Sequence, residues 1–263
     1  MNLSSTAQTT AGALFVAMLA VTGAAANGAS PPEDGPHAAR PAVLIEAYGD
    51  STTLGISCSG GHCGPLAQNA VSDLQDALQA THGASVTVTN FGVGGTMAYQ
   101  LRDGTERGRG EPWKARLAAS RAQIVTINYG INEVMHNQTP EQFYAVETEL
   151  VTTARALGKL PVLETSNPMP DGRLNAKLAM MAAMTRRVAA EQHVPLVDQF
   201  SYISALPDWK TMMSDGAHPK PELYRLKANQ DFDVIDPLVR RMLDDPSKTH
   251  ASTEPDHLSK GQS

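Results

Sequence analysis

From Pro41 onward, short apolar runs alternate with longer amphipathic ones. The first apolar run covers residues 42–48, and a helix-like stretch over 65–82 and a second short run over 85–90 follow it. Next come 112–120 (helical), 124–129 (strand), 140–157 (helical) and 161–165 (strand). Residues 174–192 (helical), 195–198 (strand) and 221–243 (helical) close the series, with Pro237 a candidate kink in the last helix. The strand candidates are rich in Val and Ile with little polar alternation, as strands buried on both faces require. That pattern predicts an α/β protein with a parallel sheet of about five strands, wound by right-handed βαβ units and covered by helices. Helix punctuation agrees. Thr139-Pro140-Glu141-Gln142 offers an N-cap, a proline in the first turn and an acidic start, and Gly158 offers a stop.

The ends of the chain read differently. The first thirty residues carry no charged side chain, and one apolar stretch runs over 11–26 to Ala24-Ala25-Ala26. This is the pattern of an export signal at 1–26, although only the terminal amine supplies positive charge before it. An uncleaved apolar anchor and a misassigned start are the alternatives; the stretch is short for a span of ~20 residues. Residues 27–40 read as a flexible lead-in, 41–245 as one domain and 246–263 as a polar tail. The expected mature protein is periplasmic or secreted, with no stable membrane insertion once the signal is removed. A net charge of −6 and the lack of a Lys/Arg cluster argue against a nucleic-acid partner.

Both cysteines lie in Cys58-Ser-Gly-Gly-His62-Cys63. Export would favour a small disulfide loop. Two free thiols, or a metal site that adds His62, are the other readings, though the spacing matches no standard zinc pattern.

In open α/β sheets the loops at the carboxyl ends of the strands collect functional groups. There the sequence offers Gly49-Asp50-Ser51, then Asn90-Phe91-Gly92-Val93-Gly94-Gly95, then Gly130-Ile131-Asn132-Glu133, and Asp215-Gly-Ala-His218 before the last helix. A serine hydroxyl needs a base to remove its proton, and the base works best when a carboxylate orients it. His218 with Asp215 fits those roles, while glycine-loop N–H groups and an Asn amide are common oxyanion donors. Taken singly, each block is an ordinary loop. Glu133 and His136 form a competing acid–base spacing, for which a solvated helix start is the plainer reading. His62 is close enough in sequence to Ser51 to line a cleft, and residues 179–184 read as a Met-rich packing face. The glycine block lacks G-x-G-x-x-G spacing and no Walker lysine or G-x-S-x-G elbow occurs, so a cofactor-binding Rossmann enzyme and the α/β-hydrolase fold are both disfavoured.

Four blocks in this order resemble the SGNH (GDSL-type) hydrolase family across nearly the whole mature chain. The resemblance implies a flavodoxin-like three-layer α/β/α fold, a shallow open site, and no metal or organic cofactor. It also implies Ser51 as nucleophile, with Asp215 and His218 completing the triad. The Ser51 N–H, the Gly95 N–H and the Asn132 side chain would form the oxyanion hole, Gly95 being chosen because it stands five residues after Asn90. Thr52 replaces the family's usual leucine and Glu133 its usual aspartate, which leaves the substrate open. The expected activity is hydrolysis of small-molecule or glycan esters through an acyl-serine. Short acyl or O-acetyl groups are favoured because an aromatic content of 5% suggests no deep lipid pocket. Acyl transfer to glycan, lysophospholipase or thioesterase action, and a non-catalytic glycan-binding role are the alternatives.

Overall fold

The computed structural model describes residues 42–107 and 110–245. The expected signal at 1–26, the lead-in over 27–40 and the tail over 246–263 lie outside the described residues.

Five parallel strands form the central sheet: β1 (Val43–Gly49), β4 (Val86–Asn90), β5 (Ile124–Tyr129), β6 (Leu160–Thr165) and β7 (Leu196–Val197). Their spatial order is β4-β1-β5-β6-β7, so the winding direction reverses beside β1. A crevice opens at such a reversal, outside the carboxyl ends of the strands. The helices between strands are α1 (Ser51–Leu54), α2 (Ala70–His82), α3 (Ala98–Asp103), α4 (Trp113–Ala119), α5 (Ile131–Met135), α6 (Pro140–Ala156) and α7 (Gly172–Gln192). Two more, α8 (Gln199–Ser204) and α9 (Pro221–Asp244), follow β7.

Side-chain alternation along the strands divides the core in two. Val43, Ile45 and Ala47 of β1 pack with Val71, Leu74 and Leu78 of α2 and with Ile235, Leu238 and Val239 of α9. On the other face Tyr48, Val125, Ile127 and Leu163 meet Leu101 of α3, Trp113 of α4, Phe143 and Leu150 of α6, and Leu178 and Met181 of α7. Both faces are therefore buried, which is why the strands read as continuous apolar runs. In the Met-rich stretch of α7, Met181 is buried while Met180 is 54% exposed. Among the described residues no helix is long and apolar enough to cross a membrane.

The helix-like stretch over 65–82 is corrected by the structure. A two-stranded antiparallel hairpin, β2 (Ile56–Ser59) and β3 (His62–Pro65), takes its first residue. The helix itself begins at Ala70, where the Asn69 side chain accepts from the Val71 and Ser72 N–H groups and Ser72 Oγ accepts from the Asn69 N–H. Pro65 thus ends a strand instead of starting a helix. Gly60 and Gly61 turn the hairpin with φ of 58° and 80°, the two positive values a two-residue type I′ turn requires. Cys58 and Cys63 face each other across it as a disulfide, with a Cα–Cα distance of 4.1 Å. Closing so short a loop contributes roughly 2 kcal/mol on the chain-entropy account. Pro237 lies inside α9 without dividing it.

Candidate active site

Ser51 opens α1 directly after β1, with Asp50 as its cap: Asp50 Oδ1 accepts from the Thr52 N–H at 2.8 Å and the Thr52 hydroxyl at 2.9 Å. As the first helical residue, Ser51 has no acceptor within the helix for its N–H. The glycine loop after β4 passes hard against α1. A Cβ on Gly92 would stand 2.3 Å from the Leu54 nitrogen, so only glycine fits there. Asn90 secures the approach by donating to the Thr53 carbonyl at 2.8 Å and accepting from the Gly92 N–H at 2.9 Å. Gly95 follows in an exposed turn with φ of 74°. Asn132, in the first turn of α5, donates to the Thr96 carbonyl at 2.9 Å and to Asp50 Oδ2 at 3.2 Å. The loops after β1, β4 and β5 are thereby tied together around Ser51.

The fourth block arrives on a tight turn. Asp215 Oδ1 accepts from the Ala217 and His218 N–H groups at 2.8 and 2.7 Å, and Asp215 Oδ2 lies 2.8 Å from His218 Nδ1. His218 Nε2 lies 2.9 Å from Ser51 Oγ. With the Nδ1–H given to the carboxylate, Nε2 is left to accept the serine proton. Partial burial works against the Asp215 charge, but the bonds from His218 and Ala217 outweigh it and hold the carboxyl below its ordinary pKa. From beneath, Asn167 donates to the Ala217 carbonyl at 3.1 Å, and the buried ammonium of Lys227 on α9 donates to Asn167 Oδ1 at 3.3 Å. Ser51, Asp215, His218 and Asn132 are all brought to this rim, as is the loop carrying Gly95.

The expected solvated helix start at Glu133 is overturned. Glu133 is completely buried, accepting from the Ala98 N–H at 2.7 Å and the Gly130 N–H at 2.8 Å, so it clasps the starts of α3 and α5 on either side of Asn132. Burial raises its pKa to about 7, the charge on Asp50 adding to the rise and the backbone donors opposing it. His136 is exposed, with Nδ1 2.8 Å from the Asn132 carbonyl, while the Glu133 oxygens point to Ala98 and Gly130; their acid–base pairing is not formed. His62 is exposed on the hairpin. Because Cys58 and Cys63 are bonded to each other, the metal reading that used them with His62 is also set aside. Sequence reasoning missed Asp50, Asn167, Lys227 and Glu133 as supports of the site. Only Asp50 carried a signal, its place beside Ser51.

A cleft of about 700 Å³ lies one helical turn beyond Asn132, lined by Met97, Tyr99, Arg102, His136, Gln138 and Gln142 among others.

Residues 47–226 match the GDSL-like lipase/acylhydrolase family, and this span holds all four blocks. The chain belongs to that family. This GDSL-like acylhydrolase is accordingly an ester-hydrolysing enzyme. An arylesterase of Vibrio mimicus is 29% identical over 175 residues, which cover 64% of this chain and 79% of the relative. Among solved structures, the aryl esterase of M. smegmatis superposes with a TM-score of 0.59 at 20% identity, covering 76% of this chain and 99% of that one. An acetylxylan esterase of Geobacillus stearothermophilus gives 0.59 at 18% identity, covering 73% and 94%. These two structural likenesses establish the three-layer fold of the acylhydrolase.

Proposed function

We propose that this acylhydrolase cleaves short-chain carboxylic esters, O-acetyl groups on glycans among them, through an acyl-Ser51 intermediate. The observation that carries the reading is the unbroken chain from Asp215 Oδ2 to His218 Nδ1 at 2.8 Å and from His218 Nε2 to Ser51 Oγ at 2.9 Å. As Ser51 Oγ attacks the ester carbonyl, its proton passes to His218 Nε2, and Asp215 stabilises the imidazolium. The carbonyl oxygen becomes an anion between the Ser51 N–H, the Gly95 N–H and Asn132 Nδ2, the last exchanging its longer bond, to Asp50, for the oxyanion. His218 then returns the proton to the departing alkoxide. A water attacks the acyl-serine in the second half, with His218 again as base, and the acid leaves.

The cleft beyond Asn132 supports a hydroxyl-rich leaving group. Its walls carry Tyr99, Arg102, His136, Gln138 and Gln142, and Gln138 Oε1 is buried with no hydrogen-bond partner among the described residues. Export of the enzyme is supported by the apolar stretch over 11–26 and by the disulfide, which persists in oxidising compartments.

The test is mass spectrometry after fluorophosphonate treatment, together with hydrolysis of a p-nitrophenyl acyl series from acetate upward. A single adduct on Ser51, turnover lost in Ser51→Ala and a preference for short chains are the expected results. An adduct elsewhere, or unimpaired turnover in Ser51→Ala, overturns the mechanism.

A further inference from the structure

The β2–β3 hairpin touches the proposed triad directly. Cys58 Sγ lies 3.1 Å from Asp215 Oδ2, the same oxygen that faces His218 Nδ1 at 2.8 Å. A disulfide sulfur has no proton, so this is a close packing contact that limits how far the carboxylate can turn. A second link runs through the backbone. The Cys58 N–H donates to Ser214 Oγ at 3.0 Å, and the Ser214 hydroxyl donates in turn to the His218 carbonyl at 2.9 Å. The hairpin therefore braces both ends of the turn that carries Asp215 and His218.

We propose that the Cys58–Cys63 disulfide is a positioning element for Asp215, so that the oxidised chain is the active form and the reduced chain is held at low activity. An isolated two-stranded hairpin is marginal in water. The root of this one is held independently, by the Tyr224 hydroxyl on the Ile56 carbonyl at 2.6 Å and the Leu66 N–H on the Gly55 carbonyl at 2.9 Å. Its tip, Ser59 to Cys63, is exposed, and among the described residues the hairpin strands pair only with each other. The disulfide is what fixes the tip against Asp215. A dithiol reductant can reach it, because Cys63 is exposed and Cys58 half-buried. The reductant supplies two electrons and two protons: the S–S bond breaks, two S–H groups form, and the dithiol closes into its own disulfide. Reduction acts on Asp215 twice. The hairpin tip is freed, and Cys58 Sγ gains a proton that competes with the His218 Nδ1–H for the same oxygen. An enzyme built this way stays quiet in a reducing compartment and switches on where thiols oxidise.

The inference rests on the triad reading, and fluorophosphonate labelling of Ser51 in the oxidised enzyme checks that reading separately. The experiment measures kcat and KM on p-nitrophenyl acetate before and after reduction with dithiothreitol, with a metal chelator present throughout. Circular dichroism and thiol titration follow the state of the protein. The expected result is a kcat lower by on the order of tenfold or more, a KM within about twofold, and recovery on reoxidation. Cys58→Ala/Cys63→Ala should be folded, slow and indifferent to reductant. A reduced protein with two titrated thiols, a native spectrum and unchanged kcat overturns the proposal. If reduction unfolds the chain, Ser214→Ala decides with the disulfide intact: lower kcat at unchanged KM supports the brace, and unchanged kcat removes it.

Discussion

Asn132 Nδ2 donates to Asp50 Oδ2 across 3.2 Å, joining the loop after β5 to the cap of the helix that presents Ser51. The same amide donates to the Thr96 carbonyl at 2.9 Å, so both of its protons are engaged in the resting site. In the proposed oxyanion role the amide is held before substrate arrives, with only its weaker bond to exchange. Asn132→Ala should lower kcat by on the order of 10² to 10³ with the protein still folded. Steady-state kinetics beside a thermal melt checks this; near-normal kcat would remove Asn132 from the oxyanion hole.

Glu133 leads to a prediction on stability. Its folded-state pKa is raised from 4.5 to about 7, so between those pH values the folded chain holds a proton that the unfolded chain has released. The folded state binding more protons means that stability falls as pH rises through this window, by on the order of 3 kcal/mol for the whole shift. Glu133→Gln removes the titration. The variant should be less stable overall, because its amide sets an N–H against one of the two backbone donors, and its melting temperature should vary less between pH 5 and 7.5 than that of the parent. Parallel melting curves across that range would contradict the assignment.

Glu133 also marks where the sequence stops being legible. Ser51 could be proposed because it sits in a short block at the end of an apolar strand run, and Asp215 with His218 because they stand three residues apart just before the last helix; the fold followed from the apolar runs. Glu133 has polar neighbours in sequence, His136 and Asn137, and nothing local says that the Ala98 and Gly130 N–H groups will draw its carboxylate inward. Lys227 and Asp231 look like the wet face of α9, yet both are buried, Asp231 accepting from Gln199 at 2.6 Å. The hairpin was missed for another reason. Its strands are four residues each, rich in Ser, Gly and Cys, and too polar to show an alternation. Glu133, Lys227 and Asp231 escaped because Ala98, Asn167 and Gln199, which draw them inward, are distant in sequence.

In the proposed reading, the cleft beyond Asn132 receives the leaving-group side of the ester. Tyr99 and Gln142 line it, while Ser51 and His218 do not. Tyr99→Ala and Gln142→Ala should therefore leave kcat/KM on p-nitrophenyl acetate within about twofold and lower it on an acetylated oligosaccharide by about tenfold. Product analysis on both substrates reads the difference. Equal losses on the two would mean that these substitutions disturb the oxyanion loop and not a sugar subsite.

Asp215→Asn tests the last member of the proposed triad and carries a pH signature of its own. The amide keeps the shape but loses the charge that steadies the imidazolium and the acceptor that fixes the Nδ1–H tautomer. kcat should fall by on the order of 10³ to 10⁴ with KM little changed. The parent carboxyl has a folded-state pKa below its ordinary value, so it contributes stability above that ordinary value, about 4, which is lost as pH falls through the folded pKa. Asp215→Asn lacks this contribution, and its stability deficit relative to the parent should shrink as the solution is acidified below pH 4. Denaturant melts at pH 7 and pH 3 measure it. A deficit unchanged between the two would mean that the charge on Asp215 is not what holds the His218 turn in place.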